Sequence, residues 1–235
     1  MLINCDSKVI RYAPKTTYGL IDSDIREPRS IFEQTINTNN ISVTENIGVL
    51  EDVISREMCQ YIINCGESVK NWSKAVTVGE SDGAYKAENS PRQNDILMIS
   101  GMPELEAIDK FINKIYSKTI AEYIYKASGL SVLQAGITRD EGYQMLRYHK
   151  NGFYKSHTDY SSVVGKSGSD TIRVISGLIY LTDDHEGGEI YFPHHDIKIK
   201  PKAGSVVFFP SIFTHPHTSC TIVEGTKYNI VTWWK

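Results

Sequence analysis

Two stretches of this chain repeat apolar residues at helical spacing, and a long run of short apolar segments follows them. In SREMCQYIINCG, residues Met58, Cys59, Ile62 and Ile63 make one stripe of a helix, with Ser55 placed as its N-cap and Gly66 as its stop. Leu105, Ile108, Ile112, Ile115 and Tyr123 give a second helix one buried face; Pro103 sits near its first turn and Gly129 beyond its end. From residue 131 the period changes. YQMLRY, TIRVISGLIYLT, GEIYFP, DIKIKP, SVVFFP and KYNIVTWW read as strands, separated by Gly, Pro, Asp or Asn. Many short strands without intervening helices predict a sandwich or barrel, and two helices on one side of it make the class α+β.

The polar stretches set the organisation. Residues 1–45 hold no sustained period and read as an N-terminal arm. The remainder, 46–235, reads as one domain, with helical support over 46–130 and a strand core over 131–235. Within it, residues 72–96 are rich in Gly, Ser, Asn and Asp, a loop length that in a compact domain points to function or disorder. A formal net charge of −3 offers phosphate no general attraction, so nucleic acid is not expected as a partner. The four cysteines are scattered without a CxxC, which predicts neither a zinc site nor a disulfide framework. No apolar run is long enough for a bilayer, and the first residues lack the apolar core of a secretory signal; a cytoplasmic protein without membrane contact is expected.

All seven histidines lie in the strand-rich half. In YHKNGFYKSHTDY, His157 and Asp159 are two apart, so on an extended segment both point to one face. Two imidazoles and a carboxylate on one face suit ferrous iron and leave positions free for oxygen chemistry. The second imidazole must come from a distant strand, and FTHPHTS offers His215 and His217. Lys227 follows a turn at Glu224 and Gly225 that returns it towards the interior, where a buried cation needs an anion.

HxD, then His, then a basic residue ten positions later resembles the 2-oxoglutarate- and Fe(II)-dependent oxygenases, and within them the prolyl 4-hydroxylase-like group. LRYHKNGFYKSHTDY, RVISGLIYLTDDHEGGEIYFP and GSVVFFPSIFTHPHTSCTIVEGTKYNIVTWW look like the three sequence blocks of that group, in order, over most of residues 142–234. The resemblance implies a double-stranded β-helix, or jelly roll, with helices packed on one side. It implies His157, Asp159 and His217 as iron ligands, the spacing to Lys227 favouring His217 over His215. Lys227 then matches the partner of the 2-oxoglutarate 5-carboxylate, Tyr148 a hydroxyl donor to that carboxylate, and Arg173 a peptide contact. Segment 72–96 lies where the family has a loop that folds over substrate.

The implied cofactors are Fe(II), 2-oxoglutarate and O2, with ascorbate as a reductant, and the implied partner is a proline-containing peptide or protein. The chain departs from the family pattern in the residues after the distal histidine and in Thr221, where the family often has proline. Other readings compete with this one. Dealkylation of nucleic acid would go with an RxxxxxR pattern, where this chain has Lys227 and Trp233. A free amino acid or small molecule would use the same chemistry. A jelly-roll binding module would lack the ligands, and a cupin-like lyase would not need Lys227.

Overall fold

The computed structural model describes residues 9–10, 32–76, 90–160, 162–163 and 171–235. Val9–Ile10 form β1, Ile41–Thr44 β2 and Ile47–Leu50 β3, and helix α1 spans Arg56–Ser68. β4 (Ser73–Lys74), β5 (Arg92–Gln93) and β6 (Asp95–Met98) precede a 3-10 turn at Pro103–Leu105 and helix α2, Glu106–Ser128. Next come β7 (Gln144–Tyr148), β8 (Phe153–His157), β9 (Ser162–Val163), β10 (Thr171–Ile172), β11 (Ile175–Tyr180) and β12 (Glu186–Gly187). β13 (Ile190–Phe192), β14 (Ile197–Ile199), β15 (Val206–Pro210), β16 (His217–Ser219), β17 (Ile222–Glu224) and β18 (Lys227–Trp234) complete the chain.

The helices form for the reasons the sequence offers, with one correction. Ser55 Oγ accepts from the Met58 N–H at 3.2 Å, and Gly129 closes α2 in the left-handed region at φ 73°, its N–H donating to Tyr125 O at 2.8 Å. Gly66, however, does not stop α1, which continues to Ser68. It is a buried packing position: a Cβ there would lie 2.9 Å from Met145 Cε.

Two sheets make the body, a jelly roll. The larger has the order β2-β3-β15-β11-β18-β7-β6-β4, the smaller β1-β14-β13-β16-β8-β5; every pairing within them is antiparallel except β1 with β14. Strand parity assigns the faces. Val206 and Phe208 of β15, with Ile230 and Trp234 of β18, join the core beneath the helices, where Ile62, Ile112, Ile115 and Tyr116 are buried. Val207 and Phe209 point the other way, between the sheets, against Tyr180, Ile190, Phe192 and Ile199. Because both faces are covered, SVVFF shows no alternation.

The strand system also extends into regions read otherwise from sequence. β3, β4, β5 and β6 all lie within 46–130, the stretch expected to be helical support. Glu45, the expected end of the arm, is in the turn between β2 and β3. Before that turn, Ile36 is buried, and the Phe32 ring lies 5.5 Å from Phe111 and 5.7 Å from Tyr61. Segment 72–96, expected as a loop, holds β4 and β5 and the start of β6; residues 77–89 of it lie outside the described residues.

Candidate metal centre

His157 closes β8 and His217 opens β16, and the sheet register sets them opposite each other. The next pair is Ser219 with Tyr154, so between the two pairs Lys155 and Ser156 of β8 run against Thr218 alone of β16. That bulge turns the Tyr154 ring onto the same side as His157, stacked at 3.5 Å between centroids. Asp159 lies two residues past His157. Its Oδ1 is 3.4 Å from His157 Nε2 and its Oδ2 is 3.6 Å from His217 Nε2. One ligand atom from each of the three lies within 4.8 Å of the others.

The hydrogen bonds around this cluster select the protonation states a metal requires. His157 Nδ1 is 2.8 Å from Lys155 O and His217 Nδ1 is 3.1 Å from His215 O. A carbonyl only accepts, so each Nδ1 carries a proton, which in the neutral ring leaves the lone pair on Nε2. Burial, followed by the nearby His157, pushes the His217 pKa down to about 4, so this imidazole is neutral at ordinary pH. Burial opposes ionisation of Asp159, but His217 and then His157 outweigh it and hold the carboxyl well below the usual carboxylate range. Ser176 Oγ donates to Asp159 Oδ2 at 2.7 Å and is itself 2.8 Å from Ser211 Oγ. Two imidazole nitrogens and an oriented carboxylate therefore converge, a donor set that fits Fe(II) and does not fill its coordination sphere.

Around the cluster the walls are aromatic. Phe209 and Phe192 lie 4.6 and 5.8 Å from the His217 ring, and the Arg92 guanidinium stands 4.5 Å over Tyr154. His215, the competing candidate, is not part of the cluster; its Nε2 is 2.9 Å from Glu45 O and its Nδ1 2.8 Å from Thr214 Oγ1. Arg173 is near but engaged. It makes a two-pronged pair with Glu141 at 2.6 and 3.0 Å, lies 3.7 Å over the Trp233 ring and reaches Asp159 O at 3.4 Å.

The second part of the site is a buried cation. Lys227 faces Tyr148 across the β18–β7 pairing, is 2% exposed, and holds its ammonium 4.3 Å over the Tyr148 ring. Its Nζ donates to Ser219 Oγ at 2.6 Å and to Gly188 O at 3.0 Å, and among the described residues no carboxylate pairs with it. Burial pushes its pKa down to about 7, against a weaker upward pull from Cys220 and Glu189. Tyr148 is buried beside it, and burial pushes its phenol up to about 12, leaving a neutral O–H donor. The EGGE turn is built around this lysine. Gly187 and Gly188 have φ of 78° and 76°; a Cβ on Gly187 would meet Thr221 O at 2.1 Å, and one on Gly188 would meet Ile222 Cδ1 at 2.4 Å and Lys227 Cδ at 3.2 Å.

The sequence profile of the 2OG-Fe(II) oxygenase superfamily matches residues 143–235, which contain the whole cluster and Lys227. That segment is similar to the superfamily. The chain is also similar to prolyl 4-hydroxylase 1 of Arabidopsis thaliana, 29% identical over 224 residues covering 83% of this chain and 70% of that protein. A putative prolyl 4-hydroxylase of Acanthamoeba polyphaga mimivirus is 32% identical over 108 residues, 40% of this chain and 45% of that one. Among solved structures, a Trichoplax adhaerens prolyl hydroxylase in complex with a hypoxia-inducible-factor peptide fragment superposes with a TM-score of 0.60 at 19% identity, covering 87% and 89% of the two chains. A viral collagen prolyl hydroxylase from Paramecium bursaria Chlorella virus-1 does so at 0.55 and 20%, covering 81% and 96%. These two likenesses establish the jelly-roll fold.

Sequence reasoning did not pick out Ser176, Ser211, Trp233 or Glu141. Strand parity could have found the first, since Ser176 shares the inward face of β11 with Leu178 and Tyr180. Glu141 leaves no local signal, because its partner lies 32 positions away.

Proposed function

We propose that this chain is a 2-oxoglutarate- and Fe(II)-dependent dioxygenase that hydroxylates a proline within a peptide or protein. The observation that carries this reading is the pairing of a converging His157–Asp159–His217 donor set with a buried Lys227 that no carboxylate among the described residues pairs with. Fe(II) held by those three side chains, with 2-oxoglutarate and O2, supplies hydroxylation of a C–H bond coupled to conversion of 2-oxoglutarate into succinate and CO2, with ascorbate keeping the metal ferrous. His157 and His217 present lone pairs because their backbone acceptors hold the protons elsewhere. Ser176 fixes the direction of the Asp159 carboxylate.

Lys227 and Tyr148 together offer a cation and an O–H donor to one carboxylate, which fits the far end of a dicarboxylic co-substrate. Phe192 and Phe209 line the cluster and keep water from its flank. The peptide and its proline come from the likeness to prolyl 4-hydroxylases over 83% of this chain. The test is anaerobic addition of Fe(II) and then 2-oxoglutarate, following the weak visible absorption of the chelated keto acid in wild type and His217→Ala. A band in wild type alone, followed by succinate release with proline-containing peptides, is the expected result. A wild type without a band overturns the assignment.

A further inference from the structure

His215 stands out among the groups that the proposed chemistry leaves unused. It is 3% exposed, lies two residues before His217, and contributes no atom to the donor cluster. Its side chain is nevertheless fully committed. Nε2 donates to Glu45 O at 2.9 Å, because a carbonyl can only accept; Nδ1, left with a lone pair, accepts from Thr214 Oγ1 at 2.8 Å. The ring stacks on His195 at 4.4 Å and meets the Phe192 edge at 6.3 Å. The backbone carbonyl of the same residue accepts the Nδ1 proton of His217 at 3.1 Å. One residue thus ties the β2–β3 turn to the imidazole that offers its Nε2 to the metal.

The far end of the tether is rigid. Glu45 and Asn46 are both in the left-handed region, φ 51° and 59°, as a two-residue hairpin turn between right-twisted strands requires. Both of their carbonyls are held by buried side chains, Glu45 O by His215 and Asn46 O by the Tyr123 hydroxyl of α2 at 2.7 Å. Tyr123 is locked in turn: a Cβ on Gly48 would come within 2.4 Å of its ring. Pro216 adds stiffness from the other side, since its ring disfavours helical backbone at His215.

We infer that His215 is a positioning residue for the metal ligand His217: its bond to the β2–β3 turn fixes the carbonyl that sets the His217 tautomer and ring direction. The inference rests on the proposed function, in which His217 binds the metal. Partners that orient a ligating histidine change metal affinity by about 10- to 100-fold when removed. Glutamine can place an N–H near the position of histidine Nε2, asparagine only near Nδ1, and phenylalanine keeps the ring without either.

The experiment is Co(II) titration of the full chain, followed by its visible absorption, in wild type, His217→Ala, His215→Gln, His215→Asn and His215→Phe, with the melting temperature of each metal-free protein as a check of folding. The expected result is a band that His217→Ala abolishes, affinity close to wild type in His215→Gln, and affinity about tenfold weaker in His215→Phe and His215→Asn. Should His215→Phe not fold, His215→Asn alone carries the comparison with His215→Gln. Equal affinity in all folded His215 variants, with the wild-type band present, overturns the tether and leaves the proposed function standing. A wild type whose band survives His217→Ala, or that has no band, overturns the proposed function and the tether with it.

Discussion

At the scale of single residues, the most informative group is Lys227. Its pKa, pushed down to about 7 by burial, means that the free protein holds it charged below about pH 7 and neutral above. A bound carboxylate favours the charged form and raises that pKa. Co-substrate binding at about pH 8 is therefore expected to take up a proton, and apparent affinity is expected to fall as pH rises above 7, by up to about tenfold per unit. Calorimetry in two buffers with different ionisation heats checks this, and pH-independent affinity across that range would contradict it. Lys227→Met keeps the stem but removes the charge; it is expected to weaken 2-oxoglutarate binding by about 10- to 100-fold and to abolish the proton uptake. On the acid side, His217 adds no proton competition for a metal until pH approaches about 4.

At the scale of elements, the EGGE turn separates folding from binding. Gly187 has a backbone carbonyl where a Cβ would go, whereas Gly188 has the end of the Ile222 side chain and the Lys227 stem. Gly187→Ala is expected to destabilise by about 3 kcal/mol or more, combining a left-handed alanine with displaced backbone. Gly188→Ala is expected to cost about 1–2 kcal/mol, the left-handed penalty alone, while moving Lys227 and weakening 2-oxoglutarate. Urea denaturation with parallel co-substrate titration distinguishes the two, and equal losses in both variants would refute the distinction.

The same elements show what could be read before any coordinates. Both helices were legible because each buries one stripe and is bounded by residues with a definite cap role, Ser55 and Gly129. β11, β15 and β18 were legible because burial on both faces leaves long apolar runs. β4, β5 and β6 were hidden by polarity: Asp95 on β6 is buried but paired with Lys74 and Arg147, so it reads as a loop residue. β8 and β16 carry no apolar run, since their inward residues are histidines and tyrosine instead of Val or Ile, and only the ligand chemistry marked them as extended. HxD was visible because both ligands come from one strand end. Ser176, Glu141 and the engagement of Arg173 depend on contacts through space, which no local pattern carries.

At the scale of the whole molecule, the site divides between the two sheets. The two histidines of the donor cluster belong to β8 and β16 of the smaller sheet, with Asp159 just past the end of β8, while Lys227 and Tyr148 belong to β18 and β7 of the larger. A ligand that reaches from the metal to Lys227 thus fastens one sheet to the other, and it stabilises the fold only so far as it binds the folded state alone. At a free concentration a hundred times the dissociation constant that amounts to about 2.7 kcal/mol. For a chain of this size each kcal/mol moves the melting temperature by about 2–4 °C, so the metal and 2-oxoglutarate, each at that ratio, are each expected to raise it by roughly 5–10 °C. The increments should separate by sheet. Asp159→Asn is expected to lose the shift from both ligands, because in the proposed function the co-substrate would bind through the metal, whereas Lys227→Met should keep the metal shift and lose most of the co-substrate increment. Phe208→Ala, which empties part of the helix-side core, is expected to lower the baseline by about 3–5 kcal/mol and leave both increments intact. Differential scanning fluorimetry with Mn(II), with and without 2-oxoglutarate, reads all of these at once. A co-substrate increment that persists in Lys227→Met would mean that the far carboxylate is held elsewhere, and that the two sheets are not joined through β18.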